Sequence, residues 1–227
     1  MFRALSLSTL GYLAVASVLT SMPGIAIADG SSKVEITVTN ITRGQIISPV
    51  VVASHRSGFE PLFELGEPAS VELAGVAEDA DLPPMIASLE ADPDVLEVET
   101  LLGAEGPIMP GESASITIDV TRKARFLSMV AMLVTTNDAF FALRGVRVPW
   151  HGSSVHRSPA YDSGSEANSE DCDFIPGPPC GNHAHDDTAE AEGYVHIHAG
   201  VHGIADLDPA IHDWRNPVAT VRIRRVR

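Results

Sequence analysis

Two carboxylates four positions apart, Asp162 and Glu166, flank Gly164 in the run Pro159-Ala160-Tyr161-Asp162-Ser163-Gly164-Ser165-Glu166. Glycine lets the backbone turn tightly, so such a loop can fold its acidic oxygens inward around a hard cation. Calcium takes roughly six to eight oxygen ligands at about 2.3–2.6 Å, mixing carboxylates with carbonyls and water. A third carboxylate, Asp138, closes the apolar run that ends Val134-Thr135-Thr136-Asn137-Asp138. A strand ending in Asn-Asp and a loop reading Asp-x-Gly-x-Glu could meet at one end of a β-sandwich. The same residues also form ion-free turns, because Asp and Ser side chains hydrogen-bond their own backbone. On spacing alone, both readings stand.

Histidine is the second candidate chemistry. His183 and His185 lie in a polar segment; His196 and His198 alternate in an apolar stretch, with His202 close behind. Strand spacing places the imidazoles of His196 and His198 on one face about 7 Å apart, a pair able to chelate zinc or copper if a third ligand joins. The plainer alternative is a polar sheet face with hydrogen-bonded histidines; His55 and His212 read as structural. Nucleophilic catalysis finds little support. Ser153, Ser154 and Ser163 are near histidines in sequence, but no Gly-x-Ser-x-Gly elbow occurs and no glycine loop for phosphate is present. Gly152-Ser153-Ser154 reads as a linker, and the chain reads as a non-enzyme. Arg222, Arg224, Arg225 and Arg227 follow Val221, and alternation puts Arg222 and Arg224 outward against Val221 and Ile223; the arginines can face a polyanion or pair with the protein's own acids.

The elements that must position these groups are mostly short strands. Val34, Ile36 and Val38 alternate with Glu35, Thr37 and Thr39, and Ile116, Ile118 and Val120 alternate after a Pro110-Gly111 turn. Val50–Ala53, Leu96–Glu99, Phe140–Val148, Tyr194–His198 and Val218–Val226 read as further strands. Leu127–Val134 is almost wholly apolar and short, the mark of a central strand covered on both faces. One helix is expected over Pro83–Glu90, with Asp81 as its cap and proline in the first turn. The fold class is therefore all-β: an antiparallel β-sandwich with one short helix. Residues 151–193 are rich in Gly, Pro, Ser, Asp, Glu and His and lack apolar periodicity, so they read as a long loop before C-terminal strands in 194–226.

The first 28 residues read as a signal peptide. Arg3 supplies the positive end, Leu5–Thr20 the apolar stretch, and Ala26-Ile27-Ala28 the cleavage site. The mature chain, residues 29–227, then forms one domain, secreted or periplasmic, and no later stretch is long and apolar enough to span a membrane. Formal net charge is −15 and becomes −16 once Arg3 leaves with that segment. So acidic a chain repels nucleic acid and anionic membranes. Its cysteines, Cys172 and Cys180, are expected to pair in an oxidising compartment, closing a loop that holds Pro176, Gly177, Pro178 and Pro179.

The order of motifs adds a resemblance. Val34-Glu35-Ile36-Thr37-Val38-Thr39-Asn40-Ile41-Thr42-Arg43-Gly44-Gln45 is followed by Ile47-Ser48-Pro49, His55, Leu62-Phe63-Glu64-Leu65-Gly66-Glu67-Pro68-Ala69-Ser70 and Val76-Ala77-Glu78-Asp79. Met109-Pro110-Gly111, Thr136-Asn137-Asp138-Ala139-Phe140 and Tyr161-Asp162-Ser163-Gly164-Ser165-Glu166 come next. From about Val34 to Glu170 this series resembles the spondin domain in the short form of secreted bacterial proteins. The tail from Gly193-Tyr194-Val195-His196-Ile197-His198 to Asp213-Trp214-Arg215-Asn216-Pro217-Val218-Ala219 resembles bacterial members too. The resemblance implies a sandwich related to C2-type modules and a calcium ion held by Asp138, Asp162 and Glu166. The chain departs from the family pattern at 166, where glutamate replaces aspartate and moves the carboxylate outward by a methylene. A non-enzymatic role in adhesion follows by resemblance, with extracellular matrix, polysaccharide or a surface protein as partner. Two alternatives remain: a zinc or copper metalloprotein or metalloenzyme using His196, His198 and His183 or His185, and a ligand-free structural envelope protein.

Overall fold

In this computed structural model the residues described are 30–181 and 190–226. The signal segment, the cleavage site at Ala28, and His183 and His185 lie outside them. The architecture is a β-sandwich of two antiparallel sheets with a pair of helices on one outer face. One sheet has four strands in the order β4 (Ser113–Val120), β1 (Ser32–Asn40), β10 (Ala219–Arg225), β7 (Ser153–Ser158). The other has six, in the order β3 (Val95–Leu101), β2 (Val50–His55), β5 (Phe126–Met132), β6 (Ala139–Arg147), β8 (Ala160–Asp162), β9 (His196–Ile197).

Alternation decides which side chains reach the core. Val34, Ile36 and Val38 of β1 are fully buried and lie opposite Ile223 and Val221 of β10 and Ile118, Ile116 and Ala114 of β4. Each fully buried aliphatic side chain of this kind contributes about 1.5–3 kcal/mol. Val50, Val52, Leu127, Met129, Phe141 and Leu143 of the six-stranded sheet meet them across the sandwich. The alternate residues of that sheet, Val51, Ala53, Val130, Phe140 and Ala142, pack outward against Leu73, Val76, Met85 and Leu89 of the helices α1 (Val71–Asp79) and α2 (Leu82–Ala91). Covered on both faces, β2 and β5 read as mostly apolar runs, interrupted by Ser54, His55 and Ser128.

The helix expected over Pro83–Glu90 is α2; Asp81 sits at its N-cap position, but its side chain makes no capping hydrogen bond. The expectation of a single helix is corrected by α1 and by the one-turn α3 (Pro209–His212). Two β-branched valines and Gly75 weaken the helical signal of α1. Ser70 nevertheless caps it by accepting from the Leu73 N–H at 3.2 Å. The linker reading of Gly152-Ser153-Ser154 is also corrected: Ser153–Ser158 pairs with β10 from Arg224↔Ser153 to Ala219↔Ser158. As an edge strand with one open face, β7 needs no apolar alternation. The stretch Tyr194–His198 contributes only the two residues of β9.

Cys172 and Cys180 form a disulfide with Cα atoms 4.8 Å apart, as the compartment argument expected. Among the described residues no helix is long and apolar enough to cross a membrane.

Candidate metal centre at the acidic end of the sandwich

Strand register brings the acidic motifs together. Residues 133–138 join β5 to β6, with Thr136 Oγ1 donating to the Leu133 carbonyl at 2.6 Å and accepting from the Ala139 N–H at 3.0 Å. Ala139 pairs with Asp162 across β6 and β8, which sets Asp138 against the turn that follows Asp162. Asp138 Oδ2 accepts from Ser163 Oγ at 2.8 Å and from the N–H groups of Ser165 and Glu166 at 3.0 and 3.1 Å. Asp162 Oδ1 accepts from the Gly164 N–H at 2.8 Å, and its Oδ2 from Asn168 Nδ2 at 2.6 Å. The first of these is the Asx-type turn that loop chemistry alone predicts. Gly164 adopts φ +68°, and a Cβ there would lie 2.3 Å from the Tyr194 carbonyl oxygen, so only glycine fits the turn.

Asp138, Asp162 and Glu166 are all buried. Two of their oxygens, Asp138 Oδ1 and Glu166 Oε2, have no hydrogen-bond partner among the described residues. Orphaned buried carboxylate oxygens are costly unless protonated or paired with a cation. Burial first, then the Asp162 charge, raises the Asp138 pKa to about 7. Burial, then Glu78, Asp138 and Asp79, raises Glu166 to about 8. Asp162 is raised as well, chiefly by burial. The three acids thus crowd one another in an environment that disfavours charge.

Three contributions escaped the motif reading. Glu78 and Asp79 close α1 and act on Glu166 through their charge. Acids in the last turn of a helix oppose its dipole, and α1 has no basic residue there; that was the available signal in Glu78-Asp79. Glu170, which lies past the motif, clamps the backbone of a neighbouring loop. Its carboxylate accepts from the N–H groups of His202, Gly203 and Ile204 at 2.5, 2.6 and 2.9 Å. Asn168, unnoticed in the sequence, holds Asp162 Oδ2.

The histidine pair lies against the same carboxylate. His196 faces Asp162 across β8 and β9, and the Nε2 atoms of His196 and His198 are 3.7 and 3.9 Å from Asp162 Oδ2. Both imidazoles point to one side, as the spacing predicted. Burial, then the charges of His196 and His202, lowers the His198 pKa to about 3, so this ring is neutral. Its Nδ1 accepts from the Gly200 N–H at 2.9 Å, which puts the proton on Nε2 and leaves that atom a donor instead of a metal ligand. Among the described residues, no three His, Cys, Asp or Glu side chains are grouped closely enough to hold a metal ion as they stand. A cavity beside them, lined by Asn137, Asn168, Glu170 and His198 among others, has a volume of about 10 Å³, the room of a single water.

No protein-family model matches the chain, and no curated protein matches it either.

Proposed function

We propose that the chain is an exported, non-enzymatic, spondin-like module that binds calcium at one end of its sandwich to order the loops there for contact with a matrix, polysaccharide or surface-protein partner. The observation that carries this reading is the pair of orphaned buried oxygens, Asp138 Oδ1 and Glu166 Oε2, in a crowd of like charges. Those two atoms fit a hard cation in donor type, with Asp162 as the third acid. When bound, calcium supplies positive charge and a preference for oxygen ligands, which lets neighbouring carboxylates ionise together.

The chain's own groups do the rest. Asp138 bridges the β5–β6 connection to the 163–166 turn, so its ionisation state is felt by both. The Asn137 side chain hydrogen-bonds the Glu166 carboxylate, and its Oδ1 accepts from the Glu170 N–H at 3.3 Å. Glu170 then fixes residues 202–204. Asp138 is therefore linked by a chain of hydrogen bonds to two surface loops. The amino-terminal apolar segment and the Cys172–Cys180 bridge support export. A transition-metal reading ranks second: His196 and His198 do approach Asp162, but the His198 tautomer turns a proton toward it.

Calorimetric titration with calcium, magnesium and zinc tests the reading. Calcium binding is expected in the wild type and is expected to be lost in Asp138→Asn and weakened in Glu166→Gln. Absence of calcium binding by a folded wild-type protein would sink the proposal, and zinc binding that disappears in His196→Gln would replace it with the transition-metal reading.

A further inference from the structure

The end of the sandwich opposite the acids gathers a cluster of the described arginines and Lys123. Phe126 pairs with Arg147 at one end of β5 and β6, and Met132 with Phe140 at the other. The strand from Ala139 to Arg147 separates the two ends by roughly 26 Å at strand rise. At the far end, one groove is lined by Arg56, Arg122, Lys123, Arg125 and Arg147, with Asp94 as its acid. Arg56 meets Asp94 at 3.7 Å. Among the described residues, no carboxylate lies within ion-pair distance of Arg122, Lys123, Arg125 or Arg147. Desolvation first, and then the charges of Arg147 and Arg122, lowers the Arg125 pKa.

A second depression lies beside this groove, joined to it by one contact. The Arg125 guanidinium lies 4.6 Å from the centre of the Trp150 ring. Trp150, 52% exposed, lines a depression of about 620 Å³ together with His151, Arg222, Arg224, Arg225 and Val226. Arg224 is held by Glu35 at 2.9 Å, and Arg225 by the Pro149 carbonyl and Ser32 Oγ. Arg222 is exposed and has no acid partner among the described residues. Beyond it, the outer face of the four-stranded sheet carries hydroxyl pairs, Thr37 with Ser115 and Thr39 with Ser113.

We propose that this end is a binding site for an acidic polysaccharide. Trp150 would serve as the platform for a sugar ring, and Arg122, Lys123, Arg125, Arg147 and Arg222 would contact its carboxylates or sulfates. In a chain of net charge −15, retained unpaired cations around an exposed indole are unexpected as a mere solvated surface. Three features select the occupant. The site is concave, which suits a sugar unit and not the plane of a bilayer. It offers one exposed indole, whereas proteins that track single-stranded nucleic acid stack successive bases on several aromatic rings. The overall negative charge opposes the dense phosphates of nucleic acid, one charge per about 1.7 Å in the duplex, more than it opposes a polymer whose acids stand a sugar or more apart. Arginine's planar fork matches carboxylate and sulfate in two-point contact.

The site lies far from the acidic cluster, so its test does not depend on calcium. The wild type, Trp150→Ala and the double variant Arg122→Glu/Arg147→Glu are titrated with polygalacturonate and with a sulfated glycosaminoglycan. Neutral dextran, a single-stranded oligonucleotide and vesicles of phosphatidylglycerol and phosphatidylcholine serve as comparison ligands, each in chelator and in calcium. The expected result is salt-sensitive binding of at least one acidic polysaccharide in chelator, so without any need for calcium, weakened by roughly tenfold or more in each variant. All these positions are exposed or half-exposed, and an unchanged melting curve certifies each variant as folded. Binding to neither acidic polysaccharide, binding unaltered in both folded variants, or tighter binding to the oligonucleotide or the vesicles overturns the proposal.

Discussion

Raising the pH should destabilise the calcium-free protein, and the size of the effect follows from Asp138. Its pKa rises from 3.8 to about 7 in the folded state, through burial and the neighbouring Asp162 charge. Protonation is therefore favoured by folding: between those two values the folded chain binds more protons than the unfolded one, and each step up in pH withdraws stability. A rise of that extent corresponds to roughly 4 kcal/mol at 1.36 kcal/mol per pKa unit. Only the part of that window above pH 5, about two pKa units, is crossed on going to neutral pH, so Asp138 alone should cost roughly 2–3 kcal/mol between pH 5 and pH 7. Glu166, raised to about 8, adds in the same direction and extends the window upward. For a domain of this size that is a drop of roughly 5–15 °C in melting temperature. Calcium at a hundredfold excess over its dissociation constant restores about 2.7 kcal/mol, so the calcium-loaded curve should be nearly flat. The assay is thermal unfolding by circular dichroism across pH in chelator and in millimolar calcium, repeated for Asp138→Asn. The amide keeps an oxygen for the Ser163, Ser165 and Glu166 donors but no charge, so the variant should be more stable than wild type at pH 8 in chelator and indifferent to calcium. A chelated wild type whose melting temperature is flat or rises over pH 5–8, or a variant with the wild-type slope, would refute the reasoning.

Glu170→Ala leaves the N–H groups of residues 202–204 without their acceptor and should cost about 2–4 kcal/mol in urea unfolding, while reducing the calcium response less than Asp162→Asn does; the reverse order would move the site toward Glu170. Gly164→Ala combines φ +68° with the clash at Tyr194 and should destabilise by roughly 2–4 kcal/mol; a variant with unaltered melting would show that the turn is not held as described. Reduction of Cys172–Cys180 should remove about 2–3 kcal/mol of loop constraint on the chain-entropy account, with faster hydrogen exchange confined to residues 170–181. Loss of protection in β1 or β5 would show that the bridge braces the sandwich itself.

Strand alternation made the sandwich legible. Val34, Ile36 and Val38 announce a strand with one face inward, and the almost wholly apolar run of β5 announces one covered twice. Residues 153–158 were opaque, since Ser-Ser-Val-His-Arg-Ser buries almost nothing and becomes a strand only because β10 supplies its hydrogen bonds. Helix α1 was opaque for a related reason: its stability comes from Leu73 and Val76 packing on Val130 and Phe140, contacts that no local propensity records. The neighbourhood of Asp138, Asp162 and Glu166 was anticipated from motif order. Glu78 was not, because its approach to Glu166 is made by the packing of α1 on the sheet. The proximity of His196 to Asp162 rests on the pairing of β8 with β9, two elements of three and two residues whose register no alternation pattern could announce.

The place of β10 bears on when the protein can fold. The last strand in chain order fills an interior position, pairing Arg225 with Val34 on one side and Arg224 with Ser153 on the other. Closing a sheet from opposite ends of a chain requires long-range contacts before they are rewarded, which places folding in the slow range of about milliseconds to seconds. Until residues 219–225 arrive, β1 and β7 are two open edges facing the same gap, each a template for another chain. A chain shortened to Val218 should therefore leave an aggregation-prone β4–β1 ribbon beside an unpaired β7 in place of a smaller domain.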